Sequence, residues 1–172
     1  MTVAFADPTV MSLSVGGVIT ILGEMIRFWG VAYAGPLTRV TRSVGAPELI
    51  VSGPFARVRN PLYVGNILLY VGVGVLSNAL MPWLVIVAFL YFTFQYMLIV
   101  KLEEKFLERH FAEVYSAYKK AVPRFIPRLS AYASPAQSTQ KPEWQGALRS
   151  ERRTLQAIVL TAALILVRGV WS

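Results

Sequence analysis

The sequence predicts an all-α protein, a polytopic transmembrane helical bundle of about four spans completed by an amphipathic helix block. Three observations carry that prediction. Of 172 residues, 55% are hydrophobic and only 15% charged, with mean hydropathy +0.52, whereas about a quarter of a soluble domain is charged. Apolar windows of about 20 residues, enough to cross a ~30 Å hydrocarbon core, recur along the chain. The basic residues behind the net charge of +8 lie between those windows, as in proteins that mark the cytoplasmic side of a membrane. That distribution sets nucleic acid aside, although a basic balance is its usual footprint. The absence of cysteine excludes disulfides, thiolate metal sites and cysteine catalysis, and no metal site is expected. A single integral membrane domain over 1–172 accounts for the length.

The first apolar run is Val10 to Ala34, preceded by no Lys or Arg, so it does not resemble a cleavable signal with its basic start. Gly16, Gly17, Gly23 and Gly30 allow close helix approach in lipid. Glu24 and Arg27 fall three apart on one helical face. They form either a mutual ion pair near the headgroups, with Arg27 snorkelling, or part of a site.

Gly35 to Asn60 is a polar connection broken by Pro36, Gly45, Pro47, Gly53 and Pro54, carrying Arg39, Arg42, Arg57 and Arg59. Within it, 48–52 suits a short extended piece leading into the Gly53-Pro54 turn. Asn60 suits an N-cap and Pro61 the first helical turn, opening a second run from Pro61 to Leu80. A third run, Pro82 to Val100, follows at once, and no charge intervenes from Pro61 to Val100. The pattern predicts a tight hairpin of two spans.

At Lys101 the chain turns polar. Leu107, Phe111, Val114, Tyr118, Val122 and Phe125 recur at steps of three and four, an amphipathic stripe that Pro123 ends near Ala121. The block 101–127 is therefore mainly helical, with Phe125 continuing the apolar face from a turn, and 130–150, whose first part is rich in Ser, Ala, Pro and Gln, reads as a linker. The last run, Thr154 to Val170, is short for a span and holds Arg168 near its end, with Trp171 beyond as an interface anchor. It reads as a span with Arg168 snorkelling out, the alternative being a helix packed flat on the bilayer or against the site.

Charge counting orients the bundle. Four of the 17 Lys and Arg lie in Gly35–Asn60 and eleven in Lys101–Arg153. With four spans both segments share one side, which the bias makes cytoplasmic, leaving the N-terminus outside.

Two clusters on that side could carry chemistry. Arg57 and Arg59 offer guanidinium forks for a carboxylate or phosphate, and Asn60 adds amide donors and an acceptor. The second helix contributes the positive end of its dipole. Tyr63 adds an aromatic face and a hydroxyl, and Gly65 room for a close ligand. Glu103 and Glu104 could hold an ammonium group. Together they suit a zwitterionic ligand; alternatively, all are interfacial anchors. His110, the only histidine, is the side chain with an ordinary pKa suited to deprotonating an amine, or else a surface residue of the helix.

Gly53-Pro-Phe-Ala-Arg-Val-Arg-Asn-Pro-Leu-Tyr-Val-Gly65, Glu103-Glu104, Phe111-Ala-Glu-Val-Tyr-Ser-Ala-Tyr118 and Val122-Pro-Arg-Phe-Ile-Pro127 together resemble the isoprenylcysteine carboxyl methyltransferase and phospholipid methyltransferase superfamily. The resemblance covers roughly Gly23 to Pro127. It implies a small integral membrane enzyme of bacterial inner-membrane type that uses S-adenosyl-L-methionine at the cytosolic face. Its acceptor would be lipophilic, such as a prenylcysteine-like carboxylate or another small lipid entering from the bilayer. By position, Arg59, Asn60, Pro61, Leu62, Tyr63 and Gly65 are implied in the cofactor pocket, and Glu103 and Glu104 at the cofactor's amino-acid end. Tyr115, Tyr118, Arg124 and Phe125 are implied to close over it, and Arg57, Arg59 and Glu104 to serve catalysis. The family's histidine is Asn60 here, which keeps a hydrogen bond but neither gains charge nor moves a proton near neutral pH. Two alternatives remain: a membrane reductase of the related NADPH-binding branch, and a non-catalytic membrane scaffold.

Overall fold

The computed structural model describes residues 2–35 and 48–170. Arg39, Arg42, the breakers Pro36, Gly45 and Pro47, and Trp171 lie outside the described residues. Within them the chain is all helical, with four α-helices, two 3-10 turns and no strand. The helices are α1 (Val10–Ala34), α2 (Pro61–Ser77), α3 (Trp83–Ala121) and α4 (Trp144–Val170); the 3-10 turns are Gly53–Ala56 and Pro135–Ser138. By length and composition α1, α3 and α4 could each cross a membrane, while α2 is apolar but shorter. The chain divides into two compact units.

The first unit comprises Met1–Met25, Gly65–Gln95 and Glu151–Ser172. A capping box starts α1: the Thr9 hydroxyl accepts the Ser12 N–H at 3.0 Å, and the Ser12 hydroxyl accepts the Thr9 N–H at 2.9 Å. Glycines let α1 and α2 meet backbone to backbone. A Cβ on Gly23 would come within 2.9 Å of the Gly65 carbonyl oxygen, and one on Gly16 would collide with the Leu76 backbone. Ala6, Leu76 and Ile165 form the buried cluster here. The end of α2 comes at Ser77, three residues before the expected Leu80, because Asn78 adopts positive φ (52°), a conformation asparagine tolerates better than most residues. Exposed Trp83, Val87, Leu90 and Phe94 recur along α3 at steps of three and four, an unpartnered apolar face of the kind lipid covers.

The second unit comprises Ile26–Val64 and Tyr96–Ser150. Its main core joins Val51, Tyr115, Tyr118 and Val122, with Leu107, Phe111 and Tyr132 packed around them. The stripe differs from expectation at one step: Val114 is 66% exposed, and Tyr115, at 1%, takes its place. Both positions fit the spacing between Phe111 and Tyr118, and burial of the larger aromatic removes more apolar surface from water. Phe125, expected to continue the stripe, is half-buried and outside that cluster. The helix ends at Ala121, as Pro123 requires, but α3 is interrupted at Ala112, whose backbone is non-helical (φ 42°, ψ −116°).

The stretch 130–150 is not the structureless linker its composition suggests. Tyr132 packs edge-on against Tyr118 with ring centroids 5.6 Å apart, and Pro135–Ser138 forms a 3-10 turn. The next helix, α4, begins ten residues before the expected Thr154, at Trp144. Its start is fixed by the Glu143 carboxylate, which accepts the Gly146 N–H at 2.9 Å, and by Trp144 stacking on Phe28 at 5.7 Å.

Candidate functional site

The stretch from Gly53 to Tyr63 is built around one obligatory glycine. Gly53 has φ +60°, and a Cβ there would run into the ring of Tyr33, so only glycine permits the turn to sit against α1. Pro54 opens the 3-10 turn, and the Pro54 carbonyl accepts the N–H groups of Arg57 and Val58, both at 3.0 Å. Asn60 stands at the start of α2, its carbonyl accepting the Val64 N–H at 3.2 Å, while its side-chain amide donates to the Arg124 carbonyl at 3.2 Å.

The centre of the site is Glu104, 4% exposed and held by two arginines. One carboxylate oxygen, Oε1, accepts from Arg59 Nε at 3.1 Å and Nη2 at 2.9 Å, and from Arg124 Nε at 3.1 Å. The other, Oε2, accepts from Arg124 Nη2. Arg59 Nη1 also donates to the carbonyls of Lys119, at 2.9 Å, and Val122, covering the C-terminal end of α3 where cations are favoured. Burial opposes ionisation of Glu104, but the hydrogen bonds and charges of Arg124 and Arg59 outweigh it and hold its carboxyl below the ordinary range. The same hydrogen bond with Glu104 raises Arg124.

Glu103 behaves differently. It is exposed, and its carboxylate accepts the Tyr63 hydroxyl at 2.6 Å. Desolvation against its neighbours, followed by repulsion from Glu104, pushes Glu103 above the ordinary carboxylate range against the downward pull of the Tyr63 hydrogen bond. Tyr63 in turn lies against Tyr96, ring centroids 4.8 Å apart. Tyr118 donates its hydroxyl to the Phe55 carbonyl at 2.7 Å, and burial raises both Tyr118 and Tyr115.

The structure therefore brings Arg59, Asn60, Tyr63, Glu103, Glu104, Tyr115, Tyr118 and Arg124 into the second unit and links most of them directly. Others take packing roles. Pro61 is fully buried, and Leu62 packs beside Val31, Ala32 and Ala147, with its Cδ2 2.7 Å from where a Gly30 Cβ would stand. Gly65 belongs to the first unit, its carbonyl turned to Gly23. Arg57 lies over the Trp29 ring at 6.0 Å and is tied to no carboxylate among the described residues. Glu24 is buried and Arg27 half-buried in α1. His110 is exposed on α3, stacked on Phe106 at 5.6 Å. Sequence reasoning missed Arg128, which donates its N–H to the Arg57 carbonyl and its Nη1 to the Ala121 carbonyl, and Gln140, which accepts the Val51 N–H. No local pattern marks either of them.

A model of the phospholipid methyltransferase family matches residues 11–114, a stretch that includes Arg59, Asn60 and both glutamates of the site. The chain belongs to the phospholipid methyltransferase family. The family and the three long apolar helices make it an integral membrane protein. It is 31% identical over 128 residues to the cobalt-zinc-cadmium resistance protein CzcN of Cupriavidus metallidurans, covering 74% of this chain and 54% of that protein. It is 34% identical over 87 residues to the nickel-cobalt-cadmium resistance protein NccN of Alcaligenes xylosoxydans xylosoxydans, covering 51% and 39% respectively. The chain thus spans about half the length of these relatives or less. No solved structure matches it.

Within this family member, these residues keep unused donors and an unused acceptor. Arg124 spends Nε and Nη2 on Glu104, which leaves the two N–H donors of Nη1, and its side chain is 39% exposed. Tyr63 engages one oxygen of Glu103, which leaves the other to accept an ammonium. The residues present therefore fit the amino-acid end of S-adenosylmethionine, a carboxylate and an ammonium group together.

Proposed function

We propose that the protein is an S-adenosylmethionine-dependent methyltransferase acting at the cytosolic membrane face on a lipophilic acceptor that enters from the bilayer. The acceptor is the carboxylate of a prenylcysteine-like compound or another small lipid. The observation that carries this reading is the Arg59–Glu104–Arg124 cluster, centred on the buried Glu104, with the exposed Glu103 next to it in sequence. Glu104 fixes both guanidiniums, so the remaining Arg124 donors point in one direction before any ligand arrives. Such preorganisation lowers the cost of binding. The free carboxylate oxygen of Glu103 takes the ammonium, and Asn60, through the Arg124 carbonyl, keeps the start of α2 against that arginine.

S-adenosylmethionine supplies an electrophilic methyl on a sulfonium, so the protein's main task is to align the acceptor with it. A carboxylate acceptor needs no general base, only a cation to orient it, and Arg57, which no carboxylate neutralises among the described residues, offers one. Asn60 fits that chemistry because no proton has to move through it. The excess of Lys and Arg in Lys101–Arg153 favours an inner-membrane protein with this site on the cytoplasmic side. Because two curated relatives are named for resistance to divalent metals, we place the modified lipid among components that protect a cell from cobalt, zinc, nickel or cadmium.

The test is titration of nanodisc-reconstituted protein with S-adenosylmethionine and, side by side, NADPH. Membrane lipid extracts are then incubated with methyl-labelled cofactor and followed by mass spectrometry. Micromolar binding of S-adenosylmethionine, about −8 kcal/mol, with label in a lipid is the expected outcome. Binding of NADPH alone overturns the reading in favour of a reductase, and binding of neither favours a scaffold.

A further inference from the structure

The chain that follows α3 does more than connect it to α4. From Pro123 onward it runs back along the residues that lead into α2 and bonds to them repeatedly. Arg59 donates its N–H to the Pro123 carbonyl at 2.9 Å, Arg128 to the Arg57 carbonyl at 3.0 Å, and Tyr132 to the Ala56 carbonyl at 2.8 Å. The run ends at Gln140, whose side chain is buried although the surrounding composition is that of a solvated linker. Its Oε1 accepts the Val51 N–H at 3.0 Å, and its Nε2 donates to the Leu49 carbonyl at 2.9 Å and to Glu48 Oε1 at 3.0 Å. One amide thus pairs the Val51 N–H and the Leu49 carbonyl, which no helix or strand among the described residues satisfies, because buried backbone groups must be paired.

We propose that Gln140 is a positioning residue for the cofactor site, acting as the latch of a strap formed by residues 123–140. The inference rests on the methyltransferase reading for its ligand but on geometry for its mechanism. Val51 belongs to the same buried cluster as Tyr115 and Tyr118, so holding Val51 holds the aromatic floor of the unit. Two residues on, Gly53 starts the turn that delivers Arg59 to Glu104. A strap fixed at 56, 57, 59 and 48–51 leaves the Arg59 guanidinium little freedom to leave that carboxylate. The matched family segment ends at residue 114, so the latch lies outside it and completes the site from a part of the chain that composition marks as dispensable.

The amide's two ends are both used, one as acceptor and one as donor, and this dictates the test. Gln140→Met keeps the length and the packing but makes none of the three bonds. In the full-length protein in nanodiscs, hydrogen exchange without cofactor should speed up at least tenfold for the Val51 amide in Gln140→Met. S-adenosylmethionine should bind about tenfold more weakly to the same variant, with kcat changed less than KM. A Ser138→Ala control, an exposed change on the same strap, should leave both readouts at wild-type values. Faster exchange with unchanged cofactor affinity would reduce Gln140 to a structural residue and overturn the proposal, as would unchanged exchange. Should Gln140→Met fail to fold, Gln140→Glu replaces it. Its carboxylate faces the Leu49 carbonyl and Glu48 and loses the latch, and protonation at low pH restores a donor, so the exchange difference from wild type must shrink as pH falls. If wild-type protein binds no S-adenosylmethionine, the methyltransferase reading fails, and the exchange readout still decides whether the latch holds residues 48–60.

Discussion

Neutralising Glu104 tests the centre of the site. Glu104→Gln keeps the size of the side chain but removes the charge from a carboxylate that is 5% exposed and faces two guanidiniums. The two arms count unequally. Arg59 is 8% exposed, and leaving a buried charge without its partner costs about 3 kcal/mol. Arg124 is 39% exposed, so water screens its loss to about 0.5 kcal/mol. The expected destabilisation is therefore roughly 3.5 kcal/mol, nearly all of it from the Arg59 arm. Glu103→Gln removes an exposed carboxylate that, among the described residues, is bonded to Tyr63, and its stability should stay within about 0.5 kcal/mol of wild type. Reversible denaturant titration in mixed micelles, followed by tryptophan fluorescence, measures both. The variants should then separate by phenotype: Glu104→Gln loses fold and binding together, whereas Glu103→Gln loses S-adenosylmethionine affinity while remaining folded. A Glu104→Gln protein within about 1 kcal/mol of wild type would refute the assignment of Glu104 as the buried clamp.

The remaining predictions concern backbone and pH. Gly53→Ala places a methyl in the Tyr33 ring at φ +60° and should cost at least about 1–2 kcal/mol from the left-handed backbone alone, seen as a lower thermal midpoint. Ala112→Gly should do the opposite, raising the midpoint through relief of about 1 kcal/mol, because Ala112 sits at φ 42° in exposed α3. The two carboxylates should titrate with opposite signs. The carboxyl of Glu104 is held below its ordinary 4.5, so its stabilisation is complete above that value and lost as pH falls through the depressed value in the fold. Glu103 is raised above 4.5, so protonation there favours the fold slightly but removes the negative charge that would pair with the cofactor's ammonium group. Cofactor binding should therefore weaken at a higher pH than unfolding does, and Glu103→Gln should remove that first step, as titrations at graded pH would report.

How much of this was legible in the sequence depends on the range of the interactions. Apolar run length marked the existence of all four helices, because a hydrocarbon core imposes it on the sequence directly. The breaks were less visible. Asn78 ends α2 through a conformation rather than a composition, and the interruption at Ala112 has no glycine or proline to announce it. Val114 and Tyr115 were degenerate by spacing, and only packing chose between them. The latch at Gln140 was invisible for a further reason. A side chain bonded to backbone 89 and 91 residues away leaves no periodic trace, and a Ser-, Ala-, Pro- and Gln-rich stretch looks the same whether pinned or free.

The pair Glu103-Glu104 shows most clearly what pattern leaves open. Neighbouring residues on an α-helix point about 100° apart, so two consecutive carboxylates leave the helix in different directions. One must turn toward the arginines and the other away, and the sequence does not say which. In the fold Glu104 turns inward, between Arg59 and Arg124, and Glu103 turns outward to Tyr63. That rotation divides two jobs that a motif merges. The inward carboxylate spends its lone pairs on the protein and sets the positions of two cations, so it has little capacity left for a ligand. The outward one keeps an oxygen to give and meets solvent, where a ligand arrives. Any further carboxylate brought inward would have to compete with Glu104 for the same guanidiniums, so a bound zwitterion is best served by the Arg124 donors that Glu104 leaves unused. On the methyltransferase reading, the different roles of the two glutamates follow from the helical turn between them.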